Sequence, residues 1–375
     1  MAAAVDAPVR VAFVVSHAGE GGSERYLELL LDFLEPAWVA GVVSLAEGPF
    51  VDRLRGAGHG VAVIDTGNRL SIVRSALRLR RLLRRERPAV VHANGVKAAL
   101  VAGLAARRIG IPVVWVKHDF SWDGPLARLV ARHCALVVGV SAAVTATFGA
   151  RLRDRVRVVH NGVPAIERDR NAARVLVREL AGGDGDVVVL VGRVHRAKGQ
   201  LELVEAAPRV LARLPDVRFL LLGGDDPHQP RYARDVRARI AELGLEHAFA
   251  LPGHHPDAPG VMAGCALVAI PSVPDERGMG REGFGLVGVE AMAVGTPVVG
   301  YAGGALPEVL SDDAVLVPEG DREALAAAIA DLLADPARRA ELGARGRAVA
   351  RERYPIEATI AGMRAVYSEV ARGSG

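Results

Sequence analysis

Cysteine is nearly absent: the 375 residues hold two, Cys134 and Cys265. They lie far apart and have no ligand-like spacing to histidine or to each other, which argues against a disulfide framework or a zinc site and fits a reduced, cytoplasmic setting. Aromatic residues make up 4% and seldom interleave with basic ones, so nucleic-acid recognition through base stacking finds no support. Long hydrophobic runs are missing too. No apolar stretch reaches the roughly 18 residues that cross a bilayer, and the opening MAAAVDAPVR lacks the basic start of a secretory signal. The expectation is a soluble, unexported protein.

What the chain does have is apolar bulk. Half of its residues are hydrophobic, enough for a large core, and its length suggests two domains. The formal net charge of +4 hides an asymmetry: residues 1–180 carry 26 Lys and Arg against 16 Asp and Glu, and residues 181–375 carry 21 against 27. Such a basic half either meets an anionic or polar partner or simply displays solvated arginine.

Apolar runs of strand length alternate with longer amphipathic segments. The first series is VRVAFVVS (9–16), WVAGVVSL (38–45), GVAVID (60–65), AVVHA (89–93), PVVWVKH (112–118), ALVVGVS (135–141) and VRVVHNG (156–162). The rhythm breaks over 163–186, a charged stretch ending in AGGDGD that reads as a linker. It restarts with VVVLVGR (187–193), RFLLLGG (218–224), FALPG (249–253), LVAIPS (267–272), TPVVGYAGG (296–304) and AVLVP (314–318). Strands apolar on both faces and separated by helices pair in parallel. The pattern predicts an α/β protein of two Rossmann-like, doubly wound domains, 1–165 and 166–354, with ligands in a cleft at the carboxyl ends of the strands.

The loop SHAGEGGSER (16–25) lacks G-x-G-x-x-G, since no third glycine follows Gly19, Gly21 and Gly22. That disfavours a nicotinamide dinucleotide site. The loop either makes a tight turn or offers backbone N–H groups to a phosphate at a helix start. VGRVHRAKGQ (191–200) sets Arg193 at a strand end and Lys198 five residues on. The two suit a diphosphate, Arg as a bidentate partner and Lys as a point charge, unless they are plain surface cations. In GREGFGLVGVEAMAVGTPVVGYAGG (280–304), Glu282 precedes a glycine turn and Glu290 is expected two turns inside the following helix. Carboxylates accept paired hydrogen bonds from vicinal hydroxyls, so one suits a sugar and the other a ribose. Their apolar setting argues against two solvated charges.

GGSER, then GR followed by KG, then EGFGLVGVEAMAVGTPVV and GGALPEV resemble the retaining glycosyltransferases of family 4, which have the GT-B fold. The resemblance spans nearly the whole chain: HNGV (160–163) is similar to the family's close to its first domain, and 354–370 to its terminal helix, which packs back on that domain (about 355–375). It implies that Arg193 and Lys198 bind the donor diphosphate, and that Glu282 with the backbone of Gly283, Phe284, Gly285 and Leu286 holds the donor sugar. Glu290 would hold the ribose, Gly21 and Gly22 would approach the phosphates or acceptor, and His118 would face the reacting sugar. His118 also reads as a plain strand-end histidine. Asp119 either orients its ring or caps the next turn. The resemblance implies metal-independent, retaining transfer, in which a donor phosphate oxygen takes the acceptor proton. The donor is expected to be UDP-linked, with N-acetylglucosamine first and GDP-mannose second; a nucleotide-sugar epimerase of the same architecture is the alternative.

Three segments stand apart. VPDERGMGR (273–281) is longer than in many family members and reads as a loop over the sugar. Asp184-Gly185-Asp186 superficially matches a metal-binding D-x-D but sits in the linker and reads as a turn. The segment 71–88 reads as a helix with Ile72, Ala76, Leu79 and Leu83 on one face and Arg74, Arg78, Arg81 and Arg85 on the other. It is either a solvated face or a weak, salt-reversible membrane patch.

Overall fold

The computed structural model describes residues 8–67, 71–275 and 280–373. The chain forms two compact units: the residues up to Gly162 together with those from Ile356 onward, and Val163–Pro355.

The first unit holds seven strands: β1 (Val11–Val15), β2 (Val39–Ser44), β3 (Val61–Val63), β4 (Val90–Asn94), β5 (Val113–Lys117), β6 (Leu136–Gly139) and β7 (Val156–Val158). Every pairing is parallel, in the order β3-β2-β1-β4-β5-β6-β7, with Phe13 opposite Val42 on one side and His92 on the other. β1 and β5 are buried at all their positions, as expected of strands covered by helices on both faces. Val14, Leu79, Leu83, Val91, Trp115 and Phe148 belong to one core on one side of the sheet. The strand order reverses between β1 and β4, so their carboxyl ends, at Ser16 and Asn94, flank a topological switch point.

The second unit repeats the plan with β8 (Val187–Val191), β9 (Arg218–Leu222), β10 (Phe249–Gly253), β11 (Leu267–Ile270), β12 (Val298–Tyr301) and β13 (Val315–Val317), in the order β10-β9-β8-β11-β12-β13. Twelve of the thirteen strands fall inside the runs read from the sequence, and β4 runs one residue beyond its run, to Asn94. The switch point here lies between β8 and β11, whose ends lead to Arg193 and Ser272.

The break at 163–186 is not merely a linker. It contains the helix Arg170–Ala181, which buries Ala173, Val177 and Ala181 in the second unit. Asp169 caps its start by accepting from the Asn171 amide at 2.8 Å. Its apolar stripe recurs every four residues, as a helix requires, beside a face of Arg170, Arg174 and Arg178. Asp184 pairs with Arg178 at 3.2 Å and Asp186 with Arg339 at 2.6 Å, so both carboxylates of the D-G-D turn serve surface ion pairs.

The terminal helix Ile356–Arg372 belongs to the first unit. Tyr367 enters that core edge-on to Phe13 and bonds His92 Nδ1 through its hydroxyl at 2.7 Å. The helix Ser71–Glu86 buries Ala76, Leu79 and Leu83 and exposes Arg74, Arg78, Arg81 and Arg85. Val73 and Leu77 lie exposed among those arginines. Among the described residues no helix is long and apolar enough to cross a membrane.

Candidate active site

In the second unit, β8 runs into a short turn that carries Arg193, His195 and Lys198. His195 Nδ1 accepts from the Ala197 amide at 3.0 Å, and Gln200, fully buried, donates to the Arg193 carbonyl at 2.8 Å. Gly199 ends the turn at φ 72°, where a Cβ would stand 1.8 Å from the Pro271 carbonyl oxygen. Only glycine lets this backbone touch the end of β11, and that contact sets Lys198 beside Ser272.

Lys198 Nζ and Ser272 Oγ both donate to Glu282 Oε1, at 2.7 and 2.8 Å. Burial pushes the Glu282 carboxyl up, but the Lys198 ammonium and the two hydrogen bonds outweigh it, and the group sits below the usual carboxylate range. The Glu282 carbonyl accepts from the Ala305 amide at 2.8 Å, so the GGALPEV segment clamps the backbone of this glutamate. Arg193 donates to buried Asp226 at 2.8 Å, and Asp226 accepts from the His228 amide with its other oxygen at 2.8 Å. Both cations are thus held by carboxylates: Lys198 by one that also faces a cavity, Arg193 by one behind it. A narrow cavity lined by Val191, Lys198, Ser272, Glu282, Gly285 and Val287 opens at this point.

Gly285 starts the helix Leu286–Val294 at φ 85° and brings no side-chain cap; its carbonyl accepts from the Gly288 amide at 2.8 Å, so Leu286 and Val287 carry the helix's leading amides. Glu290 is buried on this helix, at the start of its second turn and not two turns inside, because the helix begins at Leu286. Phe284 is buried, with its ring edge-on to Tyr354 at 5.6 Å between centroids, so the ring serves packing. Of the loop 273–281, positions 276–279 lie outside the described residues; Arg281 forms a bidentate pair with Glu319 at 2.9 and 3.0 Å.

In the first unit, a cavity at the switch point is lined by Ser16, Ser23, Glu24, Asn94, His118 and Trp122, among others. Gly21 precedes the helix Gly22–Phe33 in extended conformation and offers no side-chain cap. A Cβ on Gly22 would meet no protein atom within 4 Å, so packing does not require glycine there. His118, just past β5, bonds Asn94 Oδ1 through Nε2 at 2.5 Å and packs edge-on to Tyr26. Burial and the neighbouring Lys117 charge push its imidazole down to about 3. Lys117 is itself buried, paired with Asp123 at 2.7 Å and donating to the Asp119 carbonyl. Asp119 caps the turn by accepting from the Ser121 amide at 2.8 Å.

Arg193, Lys198, Glu282 and Glu290 therefore share one unit, and His118, Gly21 and Gly22 share the other. The sequence reading missed Ser272, Asp226, Asn94 and Lys117. Lys117 stood in plain view beside His118; Asn94 closes an apolar strand in HANG, where an amide facing a glycine turn was the available signal.

Two parallel sheets of Rossmann type in series, each gathering its polar groups at a switch point, define the GT-B fold. Residues 185–335 match the family described as glycosyl transferases group 1, and residues 20–165 match glycosyltransferase family 4. The chain is 32% identical to the GDP-mannose-dependent alpha-(1-6)-phosphatidylinositol monomannoside mannosyltransferase of Mycolicibacterium smegmatis, over 72% of this chain and 74% of the relative. It is also 32% identical to the D-inositol 3-phosphate glycosyltransferase of Xylanimonas cellulosilytica, over 76% of this chain and 72% of that one. Anabaena HepE in complex with UDP and glucose superposes with a TM-score of 0.84 at 25% identity, over 96% of this chain and 100% of HepE. The chain belongs to glycosyltransferase family 4 and is a glycosyltransferase.

Proposed function

We propose that the chain moves a hexose from a nucleoside diphosphate sugar to a hydroxyl of a small-molecule, glycan or lipid-linked acceptor, with retention and without a metal. The carrying observation is Lys198 and Ser272 converging on ionised Glu282 at the switch point of the second sheet. In this reading Arg193 and Lys198 stabilise the leaving diphosphate, so that fixed cations do the work of a divalent ion. Glu282 and the backbone of Gly283, Gly285 and Leu286 hold the sugar, and Glu290 holds the ribose. Glu282 positions the sugar and does not attack it. A donor phosphate oxygen accepts the acceptor hydroxyl proton on the face that the nucleotide leaves, so no opposite-face base is needed. From the first unit, Gly21 and Gly22 approach a phosphate or the acceptor, and His118 meets a hydroxyl of the transferred sugar.

The donor we propose first is UDP-linked, with N-acetylglucosamine as the sugar; the UDP in the HepE complex supports the uridine. GDP-mannose is the second reading, favoured by the GDP-mannose dependence of the M. smegmatis relative. The arginine face of Ser71–Glu86 is proposed to make weak, salt-reversible contact with anionic membrane. A donor panel tests the central claim: one nucleotide sugar should raise the melting temperature, since a ligand that binds only the native state stabilises it, and the same sugar should pass to an acceptor. Release of an altered nucleotide sugar without acceptor would overturn transfer in favour of epimerisation.

A further inference from the structure

His118 carries two ring nitrogens, and the first unit determines which of them bears the proton. Asn94 ends β4, is 2% exposed, and its amide faces two partners. Nδ2 donates to the Ser23 carbonyl at 3.0 Å, and Oδ1 lies 2.5 Å from His118 Nε2. A backbone carbonyl can only accept, so the amide cannot be turned round without setting two oxygens against each other. Its backbone is fixed as well: the Asn94 carbonyl accepts from Ser16 Oγ at 2.8 Å, and Gly95 follows at φ 91°. An oxygen facing Nε2 requires a hydrogen on Nε2.

We propose that Asn94 is a positioning residue that locks His118 in its Nε2–H tautomer, so that Nδ1 offers a lone pair, and not a proton, to a hydroxyl of the bound sugar. The inference rests on the reading that His118 meets the transferred sugar. Its surroundings keep the ring neutral, which leaves Nδ1 unprotonated. Lys117 from β5 adds positive charge beside it, and Tyr26 and His92 cover it from the helix Gly22–Phe33 and from β4. The nearby carboxylates are engaged elsewhere: Glu24 with Ser23 Oγ, Asp123 with Lys117 and Asp119 with the Ser121 amide. None of these three carboxylates bonds the ring of His118; its ring bond is the one to Asn94. A histidine held this way selects for a donor hydroxyl and cannot protonate a leaving group.

The test is long-range 1H–15N correlation of histidine rings in the full-length protein labelled at histidine, with His118 assigned by its loss in His118→Gln. Wild type should show the Nε2–H pattern, and Asn94→Ala a mixture of tautomers. Turnover in Asn94→Ala should fall on the order of ten- to a hundredfold, since displacing a positioned group by about 1 Å can cost roughly a hundredfold, with donor KM nearly unchanged. Asn94→Asp keeps an acceptor in place; it should retain the Nε2–H pattern and part of the rate, while its charge raises the His118 pKa and adds an acid limb to kcat. Nδ1–H in wild type, or an unaltered spectrum in Asn94→Ala, overturns the proposal. Should Asn94→Ala not fold, Asn94→Asp decides: a pH profile identical to wild type overturns it. Full activity in His118→Gln would remove His118 from the reaction and leave the tautomer result standing.

Discussion

Lys198 Nζ and Glu282 Oε1 stand 2.7 Å apart across 84 positions of sequence. The pair keeps the carboxyl below the usual carboxylate range although burial pushes it up. Lys198→Ala should therefore lower turnover roughly a hundredfold, the loss of one preorganised charge. It should also destabilise the second unit by about 1–2 kcal/mol, because a buried acceptor loses its charged donor while Ser272 still donates. Adding Glu282→Gln to Lys198→Ala should restore stability but not turnover. Melting curves and kcat separate the two effects; near-normal kcat in a folded Lys198→Ala protein would end the diphosphate assignment.

The cations at Arg193 and Lys198 are themselves positioned by Asp226 and Glu282. Chelators should therefore leave activity largely unchanged, and the product should keep the donor's anomeric configuration by NMR. An inverted product that forms only with added magnesium or manganese would contradict the proposed mechanism.

The strands were legible as apolar runs: β1, VAFVV, buried at every position, reads the same in sequence and in space, and the less buried β3 and β13 still keep an apolar sequence. Lys198 and Glu282 were legible through glycines at Gly199 and Gly285, whose positive φ values mark the turns that deliver them. What escaped were residues whose meaning is a partner far along the chain. Asp226 looks like any turn aspartate until Arg193 reaches it, and Asn94 acquires its role only where β4 ends beside β5. The helix Arg170–Ala181 escaped for another reason: Ala173, Val177 and Ala181 do form an apolar stripe at helical spacing, but Arg170, Arg174, Arg178 and Glu179 and the AGGDGD that follows made the segment read as a charged linker.

Two imidazoles, His92 buried and His118 half-buried, give the first unit a pH dependence of known sign. Burial pushes His92 and His118 down to about 3, whereas in the unfolded chain each ring takes up a proton near its usual value of about 6.5. Between those limits the unfolded state binds more protons, so stability is complete above about 6.5 and falls as pH drops toward 3. Thermal unfolding from about pH 7.5 to about pH 5 should show a falling melting temperature, with a smaller fall in His92→Phe. A melting temperature that rises on acidification would refute this account.

The helix Ser71–Glu86 presents Arg74, Arg78, Arg81, Arg84 and Arg85 to solvent with Val73 and Leu77 between them. Arg80 is not part of that surface: its guanidinium bonds the Leu104 and Ala105 carbonyls at 3.2 Å and closes the helix Val96–Ala106. Each exposed arginine near an anionic surface contributes on the order of 1 kcal/mol, and two isolated apolar side chains add too little to anchor the chain once salt screens the charges. Sedimentation with anionic vesicles should therefore show binding at low salt that is lost at high salt. Changing Arg78, Arg81, Arg84 and Arg85 together to Gln should abolish it while leaving the fold and turnover on a soluble acceptor intact, since none of the four is buried. Binding that survives high salt would require an anchor other than this helix, and equal sedimentation of the two proteins would remove the helix from membrane contact altogether.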